Sequence, residues 1–402
     1  MERIAIVSAS LPPLGGGGIS SAHYHLYKAL KSKGYSVKAY TFGDSVKRHK
    51  EPDIYRVGLP RWLCNLIRMI TFVGLRLSGE KGTIYQFVDT IIGSLGGLFL
   101  IMRIKKFRPD IVIIPDHGAV SAFWPKIKDA KSILISHHNP ARFLNNPLIG
   151  SQSEKDVELA LKVEKRALRN IDAVICPSEY MKSEFLRTYS FSGPVEVIPS
   201  IISNETIVSI KKNNFAEKIG LRPNTPIVYI PSAGSIFKGK DFVFEIIRRV
   251  ASQFEKPICF YLTGEIDPVL MYCLTFLPKN AVIYAPSRLP YHENISNIKT
   301  CTICVSPTLI ENFGLSLLEA HVCGLPVISF DVGGNREIVR DGETGYLVPY
   351  LEVEELIDRT VFLLTHKDVY AEMSENSMKH SITRFSSAMT VNKYLNFFEK
   401  RL

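Results

Sequence analysis

Glu311 and Glu319 stand eight positions apart in Ser306–Ala320, which reads SPTLIENFGLSLLEA. Glu311 follows a β-branched run that reads as a strand. A helix is expected from about Phe313 to Val322, stopped by Gly324 and Pro326. In such a helix the two carboxylates lie about 12 Å apart along the axis. Between them fall the amides of Asn312, Phe313, Gly314 and Leu315, at the positive end of the helix dipole. One carboxylate for sugar hydroxyls, amides for phosphate and a second carboxylate for ribose hydroxyls would suit a nucleotide-diphosphate sugar. The plainer alternative is an acid complementing the dipole and a solvated Glu319. It fits less well, because Glu319 lies in the apolar stretch LLEAHVCG.

Other candidates also follow strand-like runs. Lys238, in Phe237–Asp241, sits beside a glycine at a helix start, a natural phosphate contact; alone, a solvated lysine would be the better reading. His137 and His138 follow Ser132–Ser136. A histidine there can bond a polar ligand or carry a proton near neutral pH, and a structural role weighs equally. His117 is a weaker case of the same kind. Gly15–Gly18 follows the first strand, so Gly16, Gly17 and Gly18 are expected to face phosphate or sugar. Ser21 stands where a dinucleotide fingerprint would need its third glycine, which disfavours an NAD oxidoreductase. Cys301 and Cys304 form a C-x-x-C without a second ligand pair, so buried thiols are expected rather than a metal or redox centre. No metal site is expected.

These residues need a frame to hold them. Short β-branched runs alternate with amphipathic stretches along the whole chain. In the first half the strand candidates are Ile4–Ser8, Ser36–Phe42, Asp110–Pro115, Ser132–Ser136, Ala173–Pro177 and Val195–Pro199. In the second they are Ile227–Pro231, Ile258–Thr263, Ala281–Ala285, Thr302–Ser306, Val327–Phe330 and Gly345–Val348. This alternation predicts an α/β protein of two doubly wound, Rossmann-like parallel-sheet domains, with ligands beyond the carboxyl ends of the strands. The break is expected near residue 203. That gives domains 1–203 and 204–378 facing a cleft, with a final helical segment, 379–402, in need of a surface to cover.

The 402 residues carry a net charge of +10. Residues 1–200 hold 28 Lys and Arg against 17 Asp and Glu, and residues 201–402 hold 21 against 22. A uniformly basic nucleic-acid coat is excluded, and one basic half is favoured. The chain runs from Met1–Arg3 straight into a strand. Its longest apolar run, Ile91–Met102, has 12 residues, so a cytoplasmic protein without a membrane span is expected. Arg61–Leu77 is apolar, with Arg61, Arg68, Arg76 and Trp62. It reads as an interfacial helix on an anionic membrane surface or as a buried helix with snorkelling arginines.

The E-x7-E pair and the following GLPVISFDVGGNREIVRDGETGYLV resemble family 4 of the retaining glycosyltransferases, of the group 1 type. The early glycine loop, Arg108–Asp110, His137, Ala173–Ser178 and Lys238-Gly239 extend the resemblance over nearly the whole chain. It implies a GT-B fold, with donor nucleotide sugar in the second domain, acceptor on the first, and a final helix crossing back. It implies retention, no metal and no cofactor beyond the nucleotide-sugar co-substrate. Carried over by position, Glu311 holds the donor sugar, Glu319 the ribose and Lys238 the diphosphate. The amides of Asn312–Leu315 meet phosphate or sugar, and His137 lies near the reaction centre. The family usually has a phosphate-binding arginine where this chain has Ala233, so that contact is either missing or supplied from elsewhere, with Arg288 the candidate. The acceptor is a glycan or lipid-linked molecule, and no nucleic-acid partner is expected. A sugar-nucleotide-binding pseudoenzyme and a GT-B epimerase or phosphorylase stay open as alternatives.

Overall fold

The computed structural model describes residues 2–13, 17–43, 51–144 and 146–401. It divides into two units, Met1–Ile201 with Ser387–Leu402, and Ile202–Ser386.

The first unit holds β1 Arg3–Ser8, β2 Ser36–Thr41, β3 Ile54–Arg56, β4 Ile111–Pro115, β5 Lys131–Ile135, β6 Ala173–Cys176 and β7 Val195–Val197. They form one sheet in the order β3-β2-β1-β4-β5-β6-β7, with every neighbour parallel. The apolar run of β4 is buried throughout, as a parallel strand covered on both faces requires. The helices include α1 Gly18–Ser32, α2 Arg61–Leu77, α3 Gln86–Phe107, α4 Glu154–Ala167 and α5 Glu179–Thr188. One face of the sheet packs Ile4, Ile6 and Ile113 against Leu26 and Leu30 of α1. The other packs Ala5, Val7 and Val112 against Leu100 and Ile104 of α3.

The second unit holds β8 Ile227–Ile230, β9 Ile258–Leu262, β10 Ala281–Tyr284, β11 Ile303–Ser306, β12 Val327–Phe330 and β13 Gly345–Val348. Their order is β10-β9-β8-β11-β12-β13, again parallel. Each unit thus has a point where the winding reverses, between β1 and β4 and between β8 and β11. Ligands of open parallel sheets bind beyond the strand ends at such points.

Three features depart from the sequence reading. Strand β3 was not expected, because Ile54-Tyr55-Arg56 is too short to show a period. The expected helix at the end of the chain is two helices, Lys367–Arg384 and Ser387–Arg401, separated at buried Phe385. The chain rejoins the first unit at Ser387 rather than at 379, and Val391, Tyr394, Phe397 and Phe398 enter the core beside Ile4 and Leu26. Finally, α3 has 22 residues and is long and apolar enough to cross a membrane by length and composition, although half of its apolar window is buried inside the unit.

Candidate functional site

Lys238 lies on a turn after β8 and Glu311 on the segment after β11, the two strands that flank the reversal in the second unit. They are 73 residues apart in sequence and form an ion pair. Two local features bring them together. The Leu309 amide donates to the Phe237 carbonyl at 3.0 Å, tying the two segments. Gly239 has φ of 74°, and a Cβ there would lie 2.0 Å from the Pro307 carbonyl oxygen, so only glycine lets the turn sit this close.

The pair is largely shielded, with side-chain exposures of 23% for Lys238 and 12% for Glu311. Burial pushes the Glu311 carboxyl up. The Lys238 ammonium and the amides of Asn312 and Gly314 outweigh it and hold the group below the usual glutamate range. The Asn312 amide donates to Glu311 Oε1 at 2.9 Å. Two of the amides expected to face phosphate are therefore spent on Glu311. The helix also starts later than expected, at Leu315, with Gly314 at φ 69° as its cap residue and no side-chain cap. Its first-turn amides at Leu315 and Ser316 remain as helix-end donors. Phe313 packs into the core.

Glu319, on the same helix, is partly buried and accepts a hydrogen bond from Tyr291. Burial pushes its carboxyl up to about 7, and the Tyr291 bond offsets part of that rise. Tyr291 opens the helix Tyr291–Ile298 after β10; nothing in the sequence pairs it with a residue 28 positions on. Arg288 is exposed between β10 and that helix and has no ion pair among the described residues. Ala233 is fully buried among Val228, Val243 and Leu262. No group of three or more metal-ligating side chains gathers among the described residues, and Cys301 and Cys304 are buried thiols pushed up by burial.

In the first unit, Gly17 precedes α1 and Gly18 begins it, both exposed; Gly16 lies outside the described residues. His137, just past β5, is buried, with its ring 5.3 Å from that of His23 on α1. Burial depresses His137 to about 4, outweighing the pull of Asp116. The ring is neutral at pH 7, so it suits a hydrogen bond to a ligand better than the neutral-pH proton carriage the sequence suggested. Asp116, past β4, accepts from the amides of His117 at 2.7 Å and His138 at 2.8 Å and from Ser136 Oγ at 3.1 Å. It fixes the turn that carries His137. In the sequence, the signal for Asp116 is an acid directly after an apolar strand.

The family of glycosyl transferases group 1 matches residues 211–380, and glycosyltransferase family 4 matches residues 16–205. Alpha-maltose-1-phosphate synthase of Mycolicibacterium smegmatis is 27% identical over 253 residues, 59% of this chain and 65% of that one. The chain spans between about half and two thirds of the length of the first curated relatives it matches. Among solved structures, sucrose-phosphate synthase from Thermosynechococcus elongatus superposes with a TM-score of 0.72 at 18% identity, covering 100% of this chain and 99% of that one. Anabaena Alr3699/HepE in complex with UDP and glucose gives 0.71 at 17% identity, covering 99% and 100%. These likenesses establish the two-sheet GT-B fold.

Proposed function

The chain belongs to the family 4, group 1 glycosyltransferases, and on that footing we propose that it transfers a sugar with retention, and without a metal, from a nucleotide-diphosphate sugar to a hydroxyl of a glycan or lipid-linked acceptor. The observation that carries the proposal is the Lys238–Glu311 pair at the reversal of the second sheet. Donor diphosphate takes over the Lys238 ammonium and the amides of Leu315 and Ser316. Glu311, released from Lys238 but still held by the Asn312 amide, accepts the sugar hydroxyls. Glu319 accepts the ribose hydroxyls.

As the bond from the anomeric carbon to phosphate breaks, its electron pair goes to the leaving phosphate. Lys238 and the amides stabilise that charge as preorganised donors do in an oxyanion hole. The acceptor oxygen attacks the same face, and its proton passes to the leaving phosphate oxygen. Neutral His137, at the strand ends, hydrogen-bonds the sugar or acceptor. Arg288 closes on the diphosphate in place of the arginine that Ala233 replaces. The protein works in the cytoplasm at the inner membrane face. Support for that location comes from α2, which carries three arginines and no acid and exposes Trp62, Ile70 and Leu77.

A thermal-shift panel of UDP, GDP and ADP sugars tests donor binding, since a ligand of the folded state raises the melting temperature. UDP-glucose comes first, because the Anabaena structure contains UDP and glucose. Donor turnover, strongly reduced in Glu311→Ala, is the expected result. Buried Ala233 favours one second reading, a protein that binds sugar nucleotide without turnover. A shift with no turnover of any donor would select it.

A further inference from the structure

Tyr291 opens the helix Tyr291–Ile298 on the segment after β10, and Glu319 lies in the helix Leu315–Val322 after β11. Strands β9 and β8 stand between β10 and β11 in the sheet. The Tyr291 hydroxyl nevertheless donates a hydrogen bond to the Glu319 carboxyl, joining segments that leave the sheet three strands apart. Glu311 has the Lys238 ammonium beside it, whereas Glu319 has no ion pair among the described residues. A partly buried carboxylate without a cation is held in its charged form by hydrogen bonds. The other groups facing Glu319 are the Tyr229 hydroxyl, from β8, and the Cys323 thiol, just past its own helix. Burial raises Tyr229 and Tyr291, and raises Cys323 to about 12. All three are neutral near pH 7, so Glu319, pushed up by burial to about 7, is the member of this cluster that changes charge there.

The charge state decides what Glu319 can hold. An ionised carboxylate only accepts, and it has room for both hydroxyls of a vicinal diol beside the Tyr291 bond. A protonated one gives up an acceptor position to its own proton. The Tyr291 bond favours the ionised form and restricts the side chain to one orientation, leaving the rest of the carboxylate to a ligand. We propose that Tyr291 is a positioning residue of the donor site: its hydroxyl orients the Glu319 carboxylate toward the ribose hydroxyls and keeps it in the accepting form. This inference rests on the ribose role of Glu319 in the proposed function and adds the residue that controls it. Tyr291 acts through Glu319 and touches no reacting atom.

The test is calorimetric titration of UDP-glucose, ADP-glucose and GDP-glucose into the full chain between about pH 6 and 8.5, a range that brackets the Glu319 titration. The 2′-deoxyribose analogue of each donor that binds is the comparison arm. A sugar-linked diphosphate keeps its charge over this range, so a change in affinity reports the protein. Parent affinity is expected to rise with pH through about 7, as Glu319 ionises. Tyr291→Phe keeps a ring that is 38% exposed and removes one hydroxyl, so the fold is expected to hold. It should bind about threefold to tenfold more weakly at pH 7 and regain the parent's affinity toward the alkaline end. That recovery marks positioning, because structural damage loses affinity at every pH. Glu319→Gln cannot ionise and should show no step, and the 2′-deoxyribose analogue should show a smaller one. Identical profiles in parent and Tyr291→Phe, a loss that persists at the alkaline end, or an equal step for the deoxyribose analogue each overturn this inference alone. Binding of none of the three donors to the parent at any pH removes the donor reading, and this inference with it.

Discussion

The two sheets share a strand order, yet their strand ends are built in opposite ways. At the reversal of the second sheet, a lysine and a glutamate are paired in a shielded site and held by backbone amides. At the reversal of the first, Asp116 is tied to backbone amides and a serine, and the neighbouring histidines are neutral because they are buried. The chain's positive excess lies in the half whose histidines are neutral, while the shielded Lys238–Glu311 pair sits in the half with almost no net charge. Net charge thus locates a surface property, and the reversal of strand order locates the chemistry.

The largest effects should come from breaking the charged site. Glu311→Ala and Lys238→Ala are expected to lower kcat by about 10²–10³-fold, the cost of removing one preorganised group from a developing charge. Lys238→Ala also leaves Glu311 shielded without its cation, so its folded-state melting temperature should fall. If either variant changes only KM, the pair binds donor without stabilising the transition state. At the neutral site the expected loss is smaller and of a different kind. Asp116→Asn loses acceptor capacity for the amides of His117 and His138 and for Ser136 Oγ, which costs about 1–3 kcal/mol of stability. Acting through the His137 turn, it should lower kcat at near-constant donor KM. Equal loss of donor affinity would argue against this division of labour.

The pH response should separate the regions further. His137 is depressed to about 4. Its contribution is present above the ordinary histidine value and is lost as pH falls toward 4. Glu319 is raised to about 7. Its contribution is present below the ordinary glutamate value and is lost as pH rises to about 7. Each effect is of the order of 1–3 kcal/mol. Between roughly pH 4.5 and 6.5 the two slopes therefore oppose each other. Glu319→Gln should gain melting temperature relative to the parent as pH rises through that window. A constant difference between the two proteins would show that Glu319 is not the group raised by burial.

Much of this contrast could be read from residue types, and the reason for each gap is physical. Twelve strands were visible because parallel strands buried on both faces are continuous apolar runs. Edge strand β3, three residues long, offers no run to see. Glu311 and Lys238 both stand out in the sequence, but their pairing depends on β8 and β11 being neighbours, which sequence order does not state. Helix spacing points the amides of Asn312 and Gly314 at a ligand, because it cannot show that Glu311 turns back on its own backbone. Tyr291 was invisible for a similar reason: it meets Glu319 only after the helix beyond β10 has docked.

The smallest expected effect concerns the basic unit's surface. Leu77 is 84% exposed at the end of α2. A substitution so free of neighbours should shift stability by no more than about 0.5 kcal/mol, so Leu77→Glu should melt with the parent. Its exposure serves no packing, and the same change puts an acid on a helix that otherwise carries only cations. Sedimentation with vesicles containing anionic lipid at low salt should therefore fall while melting stays fixed, because both the apolar burial and the attraction to the headgroups are reduced. Unchanged sedimentation would mean that the cations on this unit answer to something other than a membrane. A drop in melting temperature would mean that α2 is packed more tightly than its exposed face implies.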